Sequence, residues 1–487
     1  MTVYPLLTIM VALPLLGAAL ILLFGRQRLA RWISLATTLA TLTTSIPLYW
    51  GFDKTSSVIQ FVEFAEWIPA WNISYRMGVD GISLPFIFLT VILSVLCVGA
   101  SWTTVRNRAP EFYAALLVAE TAMIGLFAAA NLFLFYIFWE LMIIPVFLLI
   151  GVWGGPNRIY AAVKFLLFTL AGSVLMLVGI ITLYNNCNTL DFRALAEATL
   201  EPKLQIWLFA GFLAAFAVKV PMFPLHTWLP DAHTEAPTAG SVILAGILLK
   251  MGAYGFLRVS LPILPDALPI FLTPMLIISG VAIIYGGYVT LVQTDVKRLI
   301  AFSSVSHMGF VTLGIFTLNQ SGIEGAILQM VNHGIISAAL FLCVGMIYER
   351  THTREIKDYG GVAKLAPIYS TFLALFCLAA AGFPGLNSFV GEFFIISGVF
   401  KVNILYGIFP IGGVVLGTVY LVWLYRSVVM GEVNPGLKDL KLELNAREIA
   451  TLAPLAFLAL FLGLYPEFIL SYLHVPVGQL LAAGGLP

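Results

Sequence analysis

The sequence predicts an all-α protein that crosses a membrane many times, and three observations lead to this fold class. Hydrophobic residues make up 60% of the 487 residues and charged residues 10%, whereas soluble domains carry about 25% charged residues. Apolar runs of about 20 residues recur along the whole chain, and each could span a bilayer core of about 30 Å. Lysine and arginine concentrate in alternate gaps between these runs. We therefore expect a single polytopic membrane domain, 1–487.

The apolar runs predict about 14 transmembrane helices, and these spans are numbered in chain order. The first run is full length and no basic segment precedes it, so we expect a membrane helix rather than a cleaved signal peptide. The net charge of +1 gives no indication of nucleic-acid binding. The spans are expected at 2–24, 32–50, 82–104, 112–130, 132–152, 160–184, 204–226, 239–259, 268–292, 299–318, 323–348, 368–399, 404–430 and 448–470.

The distribution of basic residues predicts which side of the membrane each loop faces. With 14 alternating spans, 16 of the 25 lysines and arginines fall in the loops of one side, 6 in the loops of the other side and 3 within spans. Short loops rich in lysine and arginine stay on the cytoplasmic side. Both termini are therefore expected on the outer side.

Five ionisable residues lie well inside predicted spans. A charge at the centre of a membrane helix costs about 2.5–3.5 kcal/mol on insertion scales, so such residues face a protein interior or water and pair with one another. Each could instead be a structural partner that locks two helices, and Lys164 could extend its ammonium to the inner headgroups. Glu120, in "LLVAETAMIG", is a sixth candidate that could hydrogen-bond a neighbouring helix. The five residues are Glu140, Lys164, Lys219, Lys250 and Glu392.

Prolines and glycines interrupt two of these spans beside a charge. In span seven, Lys219 precedes Pro221 and Pro224, and each proline removes a helical hydrogen bond. Non-helical backbone at membrane depth is tolerated only where protein or a water-filled cavity satisfies it, so this break can hold water beside the lysine. The segment "GFPGLNSFVGE" (382–392) repeats the arrangement in span twelve, with Pro384 between two glycines. We expect both spans to be broken helices.

The two breaks lie five spans apart, and this spacing predicts an internal repeat. Five is an odd number, so two units of five spans would lie in opposite orientations, as in transporters with inverted repeats. We expect spans 4–8 to repeat as spans 9–13. The corresponding units are N-terminal helices at 1–110, a first repeat at 111–260, a second repeat at 265–430 and a C-terminal helix at 445–487.

Four histidines lie close enough to these spans to transfer protons. His307 and His333, in or beside spans ten and eleven, could pass a proton between their two ring nitrogens near physiological pH. Haem ligation is a competing interpretation, but no helix carries two suitably spaced histidines. His226 and His233, in "PLHTWLPDAHTEAP", lie near the inner surface, where a proton entry, a structural loop or a metal site are all open.

No pattern in the sequence indicates covalent chemistry in this chain. The four cysteines lie far apart and form no CxxC motif, so neither a disulfide framework nor an iron–sulfur cluster is expected. A glycine-rich nucleotide loop is absent, and no alternation of strands and helices exists to hold one. The cysteines are Cys97, Cys187, Cys343 and Cys377.

Several of these segments resemble one family. "FAVKVPMFPLHTWLPDAHTEAPTAGSVILAGILLKMGAYG" and "QTDVKRLIAFSSVSHMGF" are similar to the antiporter-like subunits of respiratory complex I, NADH-quinone oxidoreductase. With "FWELMIIPVFLLIGVWGG" and "LNSFVGEFF", the resemblance is to the branch that contains bacterial subunit M and mitochondrial chain 4. It extends over nearly the whole chain, and the block from Lys219 to Gly255 is its most specific part.

The resemblance implies roles for the buried residues. Glu140 and Lys219 match the charged pair of the family, and Lys250 matches its central lysine. Glu392 matches the terminal acid of the second broken helix, where sister subunits carry lysine. His307 and His333 match histidines of the second half. Asp80, in "GVDGISLPF", belongs to a segment that recurs in the family and receives no role.

The resemblance also implies a setting for the chain. It would be a non-redox subunit of the proton-translocating NADH:quinone reductase in a bacterial inner membrane. NADH, FMN, iron–sulfur clusters and quinone would be bound by partner subunits. Other membrane-arm subunits, including the sister antiporter-like subunits, and lipids would surround it.

The sequence alone does not exclude three other functions. The chain could belong to a multi-subunit Na⁺/H⁺ antiporter or a membrane-bound hydrogenase, which share the fold. It could also be a structural spacer of the membrane arm in which the charges only lock helices. An independent solute transporter is disfavoured, because the buried polar residues do not form a pocket the size of a solute.

Overall fold

The computed structural model describes residues 5–483, and each of the 14 predicted spans contains a helix or a broken helix. Within those residues, ten helices are long and apolar enough to cross a membrane. The mainly helical membrane fold is thereby confirmed, while the count of 14 crossings stays a prediction.

The helices of the first half begin and end close to the predicted span limits. They are α1 (Leu6–Phe24), α2 (Gln27–Trp50), α3 (Leu84–Ala100), α4 (Ala109–Ala128), α5 (Leu132–Trp153), α6 (Arg158–Cys187), α7 (Phe192–Glu197), α8 (Pro202–Lys219), α9 (Trp228–Glu235) and α10 (Thr238–Ile263). Two strands, β1 (Gln60–Ile68) and β2 (Ile73–Val79), lie between α2 and α3.

The second half contains helices of similar length. They are α11 (Leu268–Leu291), α12 (Val296–Ile315), α13 (Gln320–Thr351), α14 (Pro367–Ala380), α15 (Asn387–Val402), α16 (Ile408–Val429), α17 (Ala446–Leu464) and α18 (Glu467–Ala483).

Four helices form the centre of the bundle. The most apolar stretches of α4, α10, α12 and α13 are almost wholly buried, whereas only 33–39% of the residues are buried in those of α1, α6, α16 and α17. The exposed helices present the apolar surface that a bilayer requires. Three of the four central helices carry the buried charges and histidines Lys250, His307 and His333, so these groups are screened from lipid by a layer of other helices.

The two predicted helix breaks are confirmed. α8 ends at Lys219 and α9 begins at Trp228, so the predicted span seven is discontinuous around its prolines. The indole nitrogen of Trp228 donates to the carbonyl oxygen of Val218 at 2.9 Å and satisfies one carbonyl near the end of α8. In span twelve, residues 381–386 separate α14 from α15, and Gly382 has a φ of 70°. L-residues with a side chain rarely adopt that value, so glycine suits this turn.

A β-hairpin is an element that the sequence analysis did not anticipate. β1 and β2 pair antiparallel through a tight turn. The Glu63 carboxylate of β1 accepts hydrogen bonds from the backbone nitrogens of Leu7 and Thr8 at 2.6 and 3.0 Å. A carboxylate at this position stabilises the N-terminus of α1, because the first backbone N–H groups of a helix have no intrahelical partner.

The C-terminal segment also differs from the prediction. The last span was expected to continue to residue 470, but α17 ends at Leu464 and a separate helix, α18, follows. The ring of Tyr472 on α18 packs on Tyr49 at the end of α2, and its backbone lies against Gly81 before α3. α18 therefore lies across one end of the bundle. We call this the hairpin end, because β1 and β2 cover the same end.

The opposite end of the bundle, called here the basic end, carries several ion pairs. Lys164 Nζ lies 2.7 Å from Asp231 Oδ2, and Arg354 Nε lies 3.0 Å from Asp295 Oδ2. The first and last described helices both meet the hairpin end, as expected for an even number of spans. The charge distribution of the sequence predicts that the basic end faces the cytoplasm.

The two halves of the chain contain the same short β-bridge at opposite ends of the bundle. Near the hairpin end, the backbone nitrogen of Leu132 donates to the Leu190 carbonyl at 2.8 Å. Near the basic end, the backbone nitrogen of Val296 donates to the Arg354 carbonyl at 2.9 Å. In each half the bridge joins the residue before one helix to the loop after the next helix.

His474 should make the attachment of α18 depend on pH. Burial lowers the pKa of His474, and hydrogen bonds and charges from Glu324 and Glu467 outweigh that effect and raise the pKa above its ordinary 6.5. Such a group stabilises the folded state below its unfolded pKa, and the contribution is lost as pH rises through the folded pKa. We expect amide exchange in α18, corrected for intrinsic rates, to accelerate as the pH rises above 6.5 and through the raised pKa of His474.

The variant His474→Gln supplies the control, because glutamine keeps a polar side chain that does not titrate. Its corrected exchange in α18 should stay at the faster level across the range. If the wild-type profile is as flat as that of the variant, the ion pair does not hold α18.

Candidate functional site

Lys250 and His333 form a direct polar contact in the centre of the bundle. Lys250 Nζ on α10 lies 2.7 Å from His333 Nδ1 on α13, and both side chains are buried. Lys250 Nζ also donates a hydrogen bond to the carbonyl oxygen of Ala245. With an ammonium group, His333 Nδ1 is the acceptor; with a neutral amine, His333 Nδ1–H can be the donor. The contact can therefore hold one proton at either residue.

The backbone of α10 is irregular on both sides of Lys250. Residues Leu244–Leu248 and Phe256–Ser260 are π-helical, and Leu249–Gly255 between them is α-helical. Single π-helical turns are rare and occur often at functional sites. The carbonyl that accepts from Lys250 belongs to the first π-helical segment, so that segment provides a hydrogen-bond acceptor beside the lysine.

Two glycines of α10 allow neighbouring helices to approach this lysine closely. A Cβ at Gly252 would lie 2.9 Å from Lys219 Cβ on α8, and one at Gly246 would lie 2.5 Å from Leu93 Cδ1 on α3. Contacts this short do not accommodate a side chain. Glycine at these positions therefore brings α8 and α3 against the helix that carries Lys250.

His307 continues the path from His333. The two imidazole centroids are 5.8 Å apart. A cavity of about 10 Å³ lies between them, and Ser303, Ser337 and Ser388 contribute to its lining. About 10–15 Å³ is the space that one water molecule needs, provided that polar groups can hold it. One water could therefore connect the two histidines.

Glu392 ends this series of polar groups. Its Oε1 lies 3.5 Å from His307 Nδ1 and accepts a hydrogen bond from Gln329 Nε2 at 3.2 Å. The hydroxyl of Tyr420 lies 3.4 Å from the other ring nitrogen of His307. A Cβ at Gly382 would lie 2.5 Å from Glu392 Oε2, so the glycine of the helix break lies directly against the carboxylate.

The four residues form a row of groups that can each bind or release a proton. The row runs from an amine through two imidazoles to a carboxylate, in the order Lys250, His333, His307, Glu392. Each neighbour is in contact or about one water molecule away. Because the row is buried away from bulk water, a charge at any position is stabilised mainly by the adjacent member of the row and by the neutral polar groups beside it.

Lys219 is close to this row without being joined to it by a hydrogen bond. It is buried, and its Nζ lies 4.8 Å from the ring centroid of Trp139 on α5. Neither Lys219 Nζ nor Glu140 Oε1 has a hydrogen-bond partner among residues 5–483. Among these residues Lys219 and Glu140 therefore form no direct ion pair, although Glu140 is the neighbour of Trp139 in α5.

The auxiliary candidates lie in different surroundings. Lys164 is at the basic end in its ion pair with Asp231, outside the row. Glu120 on α4 is buried, and neither carboxylate oxygen has a partner in the described part of the chain. Asp80, which received no role, forms an ion pair with Arg258 at 2.7 Å near the hairpin end.

His226 and His233 are buried among aromatic rings near the basic end. The rings of His226 and Phe223 are stacked with their centroids 5.8 Å apart, and those of His233 and Phe341 with their centroids 4.7 Å apart. Neither ring nitrogen of His233 has a hydrogen-bond partner among the described residues. The sequence interpretation of a proton entry or a structural loop remains open for both histidines.

A cavity of about 680 Å³ reaches into the basic end next to His233. Charged side chains line it, including Glu235, Lys297, Glu349 and Arg354. The Lys297 ammonium donates to the carbonyl oxygen of Ala236. The cavity is large and polar enough to hold water, which makes it a candidate entrance for protons.

The side chains that could ligate a metal lie apart from one another in the described chain. Within residues 5–483, no three His, Cys, Asp or Glu side chains converge as metal ligands. All four cysteines are free and three are buried, whereas an iron–sulfur cluster is held by several thiolates.

Sequence reasoning missed three polar residues of the site. Gln329 lies four residues before His333 on α13, so the helical period could have identified it. Tyr420 and Lys297 come from distant parts of the chain, and only the packing of α16 and α12 brings them near the row and the cavity.

Comparisons with known proteins agree along the whole chain. The family model described as "NADH:quinone oxidoreductase/Mrp antiporter, TM" matches residues 129–417, and "NADH-ubiquinone oxidoreductase chain 4, amino terminus" matches residues 10–128. The first match alone covers more than half of the chain.

Individual relatives match over nearly their full length. NADH-quinone oxidoreductase subunit M of Rhodobacter capsulatus is 47% identical, over 98% of this chain and 96% of that protein. NADH-ubiquinone oxidoreductase chain 4 of Marchantia polymorpha is 44% identical, over 98% of this chain and 97% of that protein. A chain of respiratory complex I from Thermus thermophilus superposes with a TM-score of 0.91 at 28% identity, over 98% of this chain and 99% of that chain. The chain therefore belongs to the family of complex I antiporter-like subunits that comprises subunit M and chain 4.

Proposed function

We propose that the chain is a proton-translocating subunit of the membrane arm of NADH-quinone oxidoreductase. The row Lys250, His333, His307 and Glu392 is the observation that carries this proposal. A purely structural role would be served by paired charges, whereas this row contains two imidazoles, each of which can accept a proton at one ring nitrogen and release one from the other. Membership of the family indicates the enzyme to which the chain belongs, and the row indicates that this chain transfers protons within that enzyme.

The chain takes no direct part in electron transfer in this proposal. Its cysteines and histidines do not converge as cofactor ligands, so NADH, FMN, iron–sulfur clusters and quinone belong to partner subunits. Within the membrane arm, the partners of this chain are other membrane subunits, including the sister antiporter-like subunits. The chain lies in a bacterial inner membrane with its basic end in the cytoplasm and both termini outside, which the excess of basic residues at that end supports.

The proposed path begins at the basic end. A proton enters through the cavity at Glu235 and Lys297, where water can fill the space, and reaches Lys219 beside the break between α8 and α9. His233, buried next to this cavity, is an additional candidate for the entry. From Lys219 the proton moves to Lys250, whose helix packs directly against the end of α8.

The second part of the path follows the row. Lys250 passes its proton to His333, one water carries it to His307, and Glu392 accepts it before release at the outer side. After giving up the proton, Lys250 and the two histidines are neutral and Glu392 is a carboxylate. Each group can then accept the next proton. Export against a membrane potential requires about 2.3 kcal/mol per charge per 100 mV, which electron transfer in the partner subunits must supply.

Glu140 acts on this path through its charge. An opposite charge near a buried ammonium stabilises the protonated form. In the structure the two side chains form no direct ion pair among residues 5–483, and a direct pair would stabilise the Lys219 ammonium more strongly. Approach and separation of the two side chains would therefore alternately favour proton uptake and release at Lys219.

We also propose that α4–α10 and α11–α16 are inverted repeats, with boundaries near 111–260 and 265–430. The matching β-bridges at Leu132 and Val296 support this proposal, since they occupy the same place in each unit but opposite ends of the bundle. The third helix of each unit is exceptionally long, 30 residues in α6 and 32 in α13. The fourth predicted span of each unit is a broken helix, formed by α8 and α9 in the first unit and by α14 and α15 in the second.

The alternatives are a structural spacer and a subunit of a Na⁺/H⁺ antiporter or of a membrane-bound hydrogenase. In a spacer, the buried charges would be fixed in permanent pairs, yet Lys219, Glu120 and Glu140 contain polar atoms without partners in the described chain. The family models include antiporter relatives, but relatives named as complex I subunits match over nearly their whole length.

Removing the amine of Lys219 or the charge of Glu140 should slow proton release and quinone reduction together. We expect Lys219→Ala and Glu140→Gln, in the assembled complex, to reduce NADH-driven proton release and quinone reduction together by about tenfold or more, which corresponds to about 1.4 kcal/mol on the barrier. A coupled enzyme cannot continue electron transfer when a proton step is blocked. Acidification and turnover in membrane vesicles measure the two activities.

Lys164→Met serves as the matched control, because it also removes a lysine from the first half, and Lys164 is no member of the proposed proton path. Its activity should fall much less, and native gels should show equal assembly of all three variants. Normal pumping and turnover in assembled Lys219→Ala and Glu140→Gln would establish the spacer function instead.

The end of the row should be equally sensitive. Glu392→Gln keeps the size and the hydrogen bond to Gln329 but cannot ionise, so we expect pumping and turnover to fall by about tenfold or more. Glu324→Gln changes a buried glutamate that lies on α13 outside the row and should have a much smaller effect. Similar losses in the two variants would show that a buried carboxylate, rather than a proton carrier, is what the enzyme requires.

A further inference from the structure

An apolar groove runs along the side of α13 that faces away from the proton path. Its volume is about 390 Å³, and side chains of α2, α3, α13, α17 and α18 form its walls. None of the lining residues is charged. The groove opens to the surface of the bundle at Ile46 and Trp50, which are 39% and 82% exposed. Its deepest wall includes Val331 and Ile335, the residues two before and two after His333.

The groove extends along α3. Leu84 and Ile92 both line it, and eight residues of α-helix rise about 12 Å. An extended acyl chain can therefore lie along the helix within the groove.

The chemistry of the walls selects hydrocarbon as the occupant. Apolar cavities do not bind water, because water needs two or more polar partners. Protein interiors also contain few empty spaces of this size. The groove faces outward between helices that lie in a bilayer, so the acyl chains of lipids are the apolar molecules available to fill it.

A positive charge lies at the outer rim of the groove. Lys54 Nζ donates to Ser471 Oγ at 3.0 Å and lies 4.2 Å from the ring centroid of Tyr472, which lines the groove. The nearby carboxylates are turned elsewhere. Asp53 accepts hydrogen bonds from Thr55 within its own loop, and Glu467 lies 3.5 Å from His474.

Aromatic residues complete an amphipathic site at this rim. Tyr49 and Trp50 at the end of α2 both line the groove, and tyrosine and tryptophan are enriched where lipid headgroups meet the hydrocarbon core. An ammonium beside an aromatic rim and above an apolar groove matches the order of a phospholipid from phosphate to acyl chain.

We propose that this groove binds one acyl chain of a phospholipid whose phosphate is held by Lys54. The chain extends from the rim at Trp50 along α3 to Val331 and Ile335. The site requires only that the protein lies in a bilayer, so it is independent of the proton path.

The occupied groove also supports the proton path, and this second part rests on the proposed function. Leu89 of the groove wall packs on Gly334, next to His333, where a Cβ would lie 2.5 Å from Leu89 Cδ2. One turn further along α3, Leu93 packs on Gly246 in the first π-helical segment of α10. The acyl chain holds α3 against both helices and thereby keeps Lys250 and His333 in contact.

The site can be tested directly on the assembled complex with a heavy-atom lipid. The complex is reconstituted in nanodiscs of phosphatidylethanolamine brominated on one acyl chain, and bromine density is sought by electron cryo-microscopy. We expect density between Leu458 and Val331 in the wild type. Leu458→Trp, which fills the groove from α17, should abolish it, and Ile46→Trp should do so from the opposite wall.

Two matched variants control for unspecific effects. Leu460→Trp places the same bulk on α17 at an exposed residue outside the groove and should retain the density. Lys54→Glu should lower occupancy several-fold, whereas Lys401→Glu, another exposed lysine at the hairpin end, should not. Brominated free fatty acid serves as a second probe and should occupy the groove more weakly than the phospholipid, because it lacks the phosphate.

Each outcome decides the proposal. Bromine density in Leu458→Trp and Ile46→Trp equal to the wild type, or a protein side chain filling the groove in the complex, would overturn the site. Equal occupancy in Lys54→Glu would overturn the role of the phosphate. Bromine density in the wild type together with unchanged turnover in assembled Leu458→Trp and Ile46→Trp would overturn only the support of the proton path.

Discussion

The contact between Lys250 and His333 is the interaction on which the rest of the site depends. An ammonium in the centre of an apolar bundle is strongly destabilising unless other groups compensate it. The imidazole nitrogen of His333 and the carbonyl of Ala245 do so, and the π-helical turn in α10 provides that carbonyl beside the lysine. Burial on central helices, glycines at the helix contacts and the continuation to His307 and Glu392 all follow from keeping this proton inside protein and away from lipid.

The outer parts of the molecule fix the ends of the helices that carry the row. The β-hairpin holds the start of α1 through Glu63, and α18 crosses the hairpin end from α2 to α13. At the basic end, ion pairs join the loops around a polar cavity. Between these ends lie the two helix breaks and the first π-helical segment of α10. They place irregular backbone next to Lys219, Lys250 and Glu392.

The sequence predicted the membrane fold and the two breaks because the underlying signals are local. Apolar runs, prolines next to Lys219 and glycines before Glu392 act within a few residues of where they occur. It did not predict the β-hairpin or the separate α18, since both depend on contacts with distant helix ends. The distance between Lys219 and Glu140 could not be derived either, because the packing of α5 against α8 determines it. The sequence and the family resemblance predict one chain of buried Glu, Lys and His residues, but only the tertiary structure gives the order Lys250, His333, His307, Glu392 and the distances between them.

Infrared difference spectroscopy of the working complex tests most directly whether this row carries protons. Spectra recorded before and after addition of NADH, for wild-type complex and for Glu392→Gln, isolate the carboxyl vibration of this residue as the difference between the two proteins. If protons pass through Glu392, a protonated carboxyl band changes during turnover in the wild type and is missing in the variant. Identical carboxyl bands in the two proteins would mean that Glu392 keeps one protonation state throughout, and that protons do not pass along this row.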